Sequence, residues 1–259
     1  MNCVPMALDP QFPGTSEDAV LGGRLRLRQP LRGHRVGHDA ILLAAACPAC
    51  AGEHAVEFGA GVGAAGFALA MRVTGLTVTL VEIDATLCAL AEDNARLNRL
   101  DDRVAVRGLD VGDAVALTTL AAADRVLMNP PFHDPVRHQI SPDAGKKLAY
   151  AGGPAVLASW IAAAARLLKP QGTLTLIWRA DGIEEVRRAL AREFGSLCVL
   201  PVHPKPGAKA IRVLVRAAKG GDAAEIGYDG LVLSGDDGRP SAAAESILRA
   251  GDALPIAKI

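Results

Sequence analysis

The chain has 259 residues, half of them apolar, which suits one α/β domain with an elaborated end and excludes disorder over most of its length. Its 28 basic and 28 acidic residues balance, arguing against non-specific coating of nucleic acid while leaving room for a local basic patch. No window reaches the uncharged apolar length that spans a membrane, and Asp9, Pro10, Pro13 and Glu17 do not make a signal peptide. The expected compartment is a bacterial-type cytoplasm. Five scattered cysteines (Cys3, Cys47, Cys50, Cys88 and Cys198) fit reduced thiols there. Cys47-Pro48-Ala49-Cys50 has redox spacing, but it follows a helix-like run and no second ligand pair accompanies it, so no metal is expected.

In chain order, residues 1–19 read as a loose arm. Residues 19–28 read as a hairpin around Gly22-Gly23, with Leu25 and Leu27 alternating against Arg24, Arg26 and Arg28. A helix is predicted over 36–46, with Asp39 in its first turn, where a carboxylate suits the positive helix end. Strands are predicted at 54–58, 77–82, 103–107, 124–128 and 172–178, and helices at 63–73, 85–98, 153–168 and 182–193. Such alternation argues for a parallel sheet with helices on both faces. Runs at 197–202 and 211–216 are joined by too few residues for a helical crossover and should be antiparallel neighbours. Residues 219–227 read as a loop, followed by the apolar Leu231-Val232-Leu233 and a small helix near 241–249.

The fold class that follows is α/β: a Rossmann-like, doubly wound, seven-stranded, mostly parallel sheet with the last strand antiparallel, plus a small N-terminal hairpin and helix. The expected organisation is an arm, hairpin and helix over 1–50, a catalytic domain over 51–218 and an extension of it over 219–259.

Glu57-Phe58-Gly59-Ala60-Gly61-Val62-Gly63 follows the first core strand and opens a helix, where glycines permit a tight turn and close approach of a ligand to the backbone. About twenty residues on, Glu82 ends the next strand, where an acid accepts hydrogen bonds from ribose hydroxyls. A nucleoside-bearing cofactor across the strand ends is implied. Gly61-Val62-Gly63-Ala64-Ala65-Gly66 also fits the dinucleotide fingerprint, so a nicotinamide-dependent oxidoreductase stays open. Two acids favour S-adenosylmethionine. Glu57, before the first glycine, would oppose a pyrophosphate but suits a cationic cofactor's amino group. Asp110, after the third strand, is placed to accept from an adenine amino group.

Asn129-Pro130-Pro131-Phe132 ends the strand at 124–128. Two prolines stop the strand and stiffen the loop. They leave an amide, free backbone carbonyls and an aromatic ring at a strand's carboxyl end, where ligands bind in open α/β sheets. This suits a planar NH₂-bearing substrate: Asn129 Oδ1 and the Pro130 carbonyl can accept its two N–H protons, while Phe132 stacks on its face. The connection at 133–152 carries His133, Arg137, His138, Lys146 and Lys147, and a loop that long at this edge is usually functional.

These residues together resemble class I S-adenosylmethionine-dependent methyltransferases, and the tetrapeptide resembles that of the amino-group methyltransferases. Thr15-Ser16-Glu17-Asp18, Gly22-Gly23-Arg24-Leu25, Gln29-Pro30 and Gly37-His38-Asp39-Ala40-Ile41-Leu42-Leu43 are similar to the start of the bacterial tRNA adenine-N6 methyltransferase family. His203-Pro204-Lys205-Pro206, Val213-Leu214-Val215 and Gly238-Arg239-Pro240-Ser241 extend the likeness to the C-terminal part. The resemblance implies that Gly59, Gly61, Gly63 and Glu57 line the methionine part of the cofactor, Glu82 its ribose and Asp110 its adenine. It implies that Gly37, His38 and Asp39 close over the methionine end, and that Asn129, Pro130, Pro131 and Phe132 hold the reacting amine. The implied partner is RNA, a tRNA, with Arg24, Arg26, Arg28, Arg137, Lys146 and Lys147 as phosphate contacts and Lys205 and Lys209 as weaker ones. Protein-glutamine N5 and ribosomal-RNA guanine N2 methylation use the same tetrapeptide and stay open. A non-catalytic RNA-binding module would keep the arginines but would not need both acids and the glycine turn.

Overall fold

The computed structural model describes residues 14–32, 35–131 and 153–258. The chain starts with a hairpin, β1 (Thr15–Val20) and β2 (Leu25–Pro30), turning through Leu21, Gly22 and Gly23, all with positive φ. Leu25 and Leu27 are fully buried on one face of β2 while Arg26 is exposed on the other, as their alternation predicts. The expected arm is corrected here: its residues 15–19 belong to β1, paired from Thr15↔Pro30 onward. Residues 1–13 of that arm lie outside the described residues.

Helix α1 (His38–Ala46) follows, then β3 (His54–Phe58), α2 (Ala64–Arg72), β4 (Thr77–Glu82), α3 (Ala85–Leu97), β5 (Val104–Gly108), α4 (Ala114–Leu117) and β6 (Ala123–Met128). After these come α5 (Pro154–Leu167), β7 (Leu168–Arg179), α6 (Ile183–Leu190), β8 (Phe194–His203), β9 (Arg212–Lys219), β10 (Ile226–Gly227), β11 (Leu231–Val232) and α7 (Ala242–Leu248). One sheet runs in the order β10-β8-β9-β7-β6-β3-β4-β5, with β11 also on β8. Strands β5, β4, β3, β6 and β7 are parallel, and β9 is antiparallel to both β7 and β8.

This is a Rossmann-like α/β fold with a mixed sheet, but the sheet has nine strands, not seven. The extra two, β10 and β11, are two-residue strands that lie parallel to β8 on its outer edge. They exist because β8 offers a row of unpaired backbone groups that a passing segment can satisfy. β10 falls inside the stretch expected to be a loop.

The sheet is covered on both faces, which is why its strands read as apolar runs instead of alternating patterns. Ala55, Leu80, Leu127 and Ile177 pack with α1, α2, α3 and α7 on one face. Val56, Phe58, Val126 and Met128 pack with α4, α5 and α6 on the other. From β3 the chain winds outward through β4 and β5, then returns across β3 to β6 and β7. The winding therefore reverses between β3 and β6, and such a reversal opens a crevice outside the carboxyl ends of the two strands.

Candidate active site

Two motifs seventy residues apart meet at that crevice. β3 and β6 are in register with Phe58 opposite Met128, so the glycine turn and Asn129 start side by side at the same sheet edge. The turn's glycines serve two purposes. Gly61 has φ +57°, and a β-carbon there would meet no heavy atom within 4 Å, so this position faces open space. Gly59 and Gly66 are instead pressed against the protein. A β-carbon at Gly59 would lie 2.5 Å from the Trp160 ring of α5, and one at Gly66 would lie 2.4 Å from Leu80 and 2.8 Å from a Glu57 oxygen. Gly63 caps the start of α2 with φ +89°.

Glu82 bonds to this turn and Glu57 to the helix it opens, while Asp110 lies two strands away at the same sheet edge. Glu82, at the end of β4, is buried; its Oε2 accepts the Gly61 N–H at 2.8 Å and its Oε1 those of Ile83 and Asp84 at 2.8 and 2.9 Å. Glu57 accepts the Gly66 N–H at 2.6 Å and so ties β3 to the first turn of α2. Its burial pushes the Glu57 carboxyl up to about 8, with the neighbouring Glu82 charge adding to the rise and the Gly66 N–H opposing it. Asp110 is exposed just past β5, where it accepts the Gly112 N–H at 2.7 Å. Each acid thus braces a turn at the sheet edge. A carboxylate's four lone-pair directions leave capacity for a ligand beside one or two backbone donors.

Asn129 follows β6 directly. Its Oδ1 is buried and, among the described residues, has no hydrogen-bond partner. Pro130 is buried and Pro131 exposed. Phe132, His133, Arg137, His138, Lys146 and Lys147 lie outside the described residues, as does the rest of the 132–152 connection.

Gly37 is the exposed N-cap of α1. Asp39 is engaged within the chain: its carboxylate pairs with Arg212 Nε at 2.9 Å, at the start of β9. His38 is exposed beside it. The hairpin arginines are also engaged within the chain. Arg24 donates to the Leu21 and Arg249 carbonyls, at 3.2 and 3.0 Å. Arg26 pairs with Glu17, and Arg28 lies 3.7 Å from the same carboxylate. Lys205 and Lys209 are exposed on the loop that leaves β8, at the same edge as the crevice. Cys47 is buried and Cys50 exposed, both as free thiols; burial pushes the Cys47 thiol up to about 11.

Four residues that sequence reasoning missed belong to this region. Ile83, next to Glu82, leaves 58% of its surface exposed at the same sheet edge. Trp160 is half-buried, packs edge-on to Phe58 at 6.4 Å between ring centroids and supports Gly59. Asn94 on α3 and Asn98, the C-cap of that helix, bind the backbone of β2. The only advance signal was a pair of poor helix formers four apart on a predicted helix.

Among the described residues no helix is long and apolar enough to cross a membrane, and no group of three or more His, Cys, Asp or Glu is placed to hold a metal. Residues 34–204 match the family model described as "Methyltransferase small domain". A tRNA1(Val) (adenine(37)-N6)-methyltransferase of Porphyromonas gingivalis is 32% identical over 160 residues, covering 59% of this chain and 62% of that protein. The namesake from Aeromonas hydrophila is 28% identical over 206 residues, covering 79% of this chain and 84% of its own. The crystal structure of a predicted O-methyltransferase from Agrobacterium tumefaciens superposes with a TM-score of 0.68 at 28% identity, over 83% of this chain and 97% of that one.

Proposed function

Because the chain belongs to the methyltransferase small domain family, we propose that it is an S-adenosylmethionine-dependent N-methyltransferase acting on an exocyclic amine, adenine N6 of a tRNA. The observation that carries this reading is Asn129 Oδ1, a buried acceptor with no partner among the described residues, set beside the glycine turn. A buried acceptor left unmade costs free energy unless a ligand completes it. An NH₂ group is the ligand it suits. The relatives' names supply the tRNA adenine, and the likeness to them covers only part of each chain.

The cofactor fits the residues present. Open space over Gly61 admits a ligand against the turn. Glu82 would hold the ribose, Asp110 the adenine amino group and Glu57 the methionine ammonium, with Ile83 offering an apolar face beside the purine. When bound, the sulfonium supplies a methyl group activated toward displacement. The substrate amine's lone pair is delocalised into its ring, so the amine is a poor nucleophile. Asn129 Oδ1 and the Pro130 carbonyl, accepting its two N–H groups, would draw density onto nitrogen and orient its lone pair for attack. The amine nitrogen would take that methyl group as the sulfonium became a thioether, and the surplus amine proton would leave to solvent. Rate comes from positioning and electrostatics, with no strong base required. A base inside a folded RNA must leave its stack to reach this crevice, and Phe132 is the ring proposed to receive it.

Mass spectrometry of RNA nucleosides and of protein digests, after incubating tRNA, ribosomal RNA and protein separately with the enzyme and isotopically labelled S-adenosylmethionine, tests the reading. Labelled N6-methyladenosine is expected. Label found only in a glutamine side chain or a guanosine would move the substrate to another member of the class. No transfer to any of these from a cofactor-binding protein would refute the methyltransferase assignment.

A further inference from the structure

Asn94 is fully buried on α3, and every polar atom of its amide is used. Its Oδ1 accepts the Arg28 N–H at 2.7 Å, and its Nδ2 donates to the Arg28 carbonyl at 3.0 Å and to the Val62 carbonyl at 3.1 Å. One helical turn on, Asn98 treats Arg26 the same way, accepting its N–H at 2.9 Å and donating to its carbonyl at 2.7 Å. The match has a geometric basis. Four residues of helix rise about 6 Å and two residues of strand about 6.6 Å, so amides at i and i+4 meet alternate residues of a strand edge. The two asparagines stand in for a neighbouring strand on the free edge of β2. They differ in one respect: the second Nδ2 bond of Asn98 returns to the Asn94 carbonyl, whereas that of Asn94 reaches Val62, between Gly61 and Gly63.

We propose that Asn94 is a positioning residue for the cofactor turn, joining the docked N-terminal hairpin to the loop that receives the ligand. This rests on the reading of residues 59–63 as the cofactor cradle. Glu82 fixes the Gly61 N–H from one side and Asn94 fixes the Val62 carbonyl from the other, so the peptide unit between them is held at both ends. Cofactor affinity then depends on the hairpin, although the hairpin itself need not touch the ligand.

Asn98 supplies the control. In full-length protein, Asn94→Ala and Asn98→Ala should both lower the thermal midpoint, since each removes a clamp on β2. Only Asn94→Ala should weaken S-adenosylhomocysteine binding by calorimetry, by about tenfold, as loss of one buried hydrogen bond at the turn would. Asn94→Asp keeps the acceptor for the Arg28 N–H but sets an oxygen against the Val62 carbonyl; it should weaken binding at least as much. Unmodified protein gives an independent readout by amide-resolved hydrogen exchange. Adding S-adenosylhomocysteine should slow exchange of the Arg28 N–H more than that of Arg26. Native affinity in the Asn94 variants, or equal slowing of the two amides, overturns the inference. Failure of the unmodified chain to bind S-adenosylhomocysteine overturns the cradle reading itself.

Discussion

Replacing Asn129 with alanine should separate chemistry from stability in opposite directions. The buried Oδ1 has no partner among the described residues, and an orphaned acceptor of this kind costs about 1–3 kcal/mol. Truncation also removes the packing of a small side chain, roughly 1 kcal/mol at the usual coefficient for buried area. The balance is about 0 to 2 kcal/mol in favour of the variant. For a chain of this size each kcal/mol moves the thermal midpoint by about 2–4 °C, so the midpoint should hold or rise. Turnover should fall by about 10²–10³-fold, the loss expected for one donor or acceptor that acts in the transition state. Calorimetry with S-adenosylhomocysteine should give unchanged affinity, because the role proposed for the amide is toward the substrate and not the cofactor. Scanning calorimetry and a labelled-methyl transfer assay on the same preparation decide the matter. A variant that melts well below the native protein while keeping its activity would show that the amide is a structural brace.

Glu57 binds its proton more tightly folded than unfolded, so its contribution to stability is full below 4.5 and is lost as pH rises toward about 8. Glu57→Gln should flatten the decline of the thermal midpoint across that window, and S-adenosylhomocysteine affinity of the native protein should strengthen as pH rises through it; a pH-independent affinity would remove Glu57 from the ammonium site. Gly61→Val, entering open space at φ +57°, should cost roughly 1–3 kcal/mol of stability yet abolish most cofactor affinity, whereas Gly59→Ala should act mainly on stability by displacing Trp160. Equal binding losses in the two would mean that the ligand does not approach at Gly61. For RNA, the Arg26 side chain is 49% exposed and that of Arg28 20%, so Arg26→Gln should reduce the salt slope of binding by roughly 0.7–0.9 and Arg28→Gln should leave it. Filter binding across a salt series measures both slopes, and matching losses would contradict the burial argument.

The strands at 54–58 and 77–82 were legible to the residue because buried parallel strands are short apolar runs bounded by turn residues. The elements missed are those whose cause lies outside their own sequence. β10 and β11 each have two residues and are defined by the edge of β8 they lie against. Helix α4 is a single turn held by Asp113, whose carboxylate accepts the Val115 and Ala116 N–H groups at 2.9 and 3.1 Å, and four residues carry no periodicity. β1 shows mixed polarity because Ser16 and Asp18 are buried in a polar cluster with Gln29 and Arg35, so its inward face does not read as apolar.

That the candidate-site motifs meet at one sheet edge was legible in the sequence, and their wiring was less so. Motif spacing singles out acids at 57, 82 and 110 as ligand-facing, because an acid at a strand end invites a donor from outside. Backbone N–H groups are nearer donors, and each acid takes one first: Gly66 for Glu57, Gly61 for Glu82 and Gly112 for Asp110. The two roles support one another. A carboxylate already anchored by the turn loses little rotamer freedom when a hydroxyl or amino group arrives, so the cost of ordering it is met during folding. The same economy explains why Asn94 escapes a motif search. It contributes no charge and presents no group to the ligand, yet it fixes the Val62 carbonyl in a turn whose glycines leave that loop otherwise free to rotate. Glycine leaves the turn open at position 61, and the amide and carboxylates bonded to it and to its helix restore the rigidity that glycine removes.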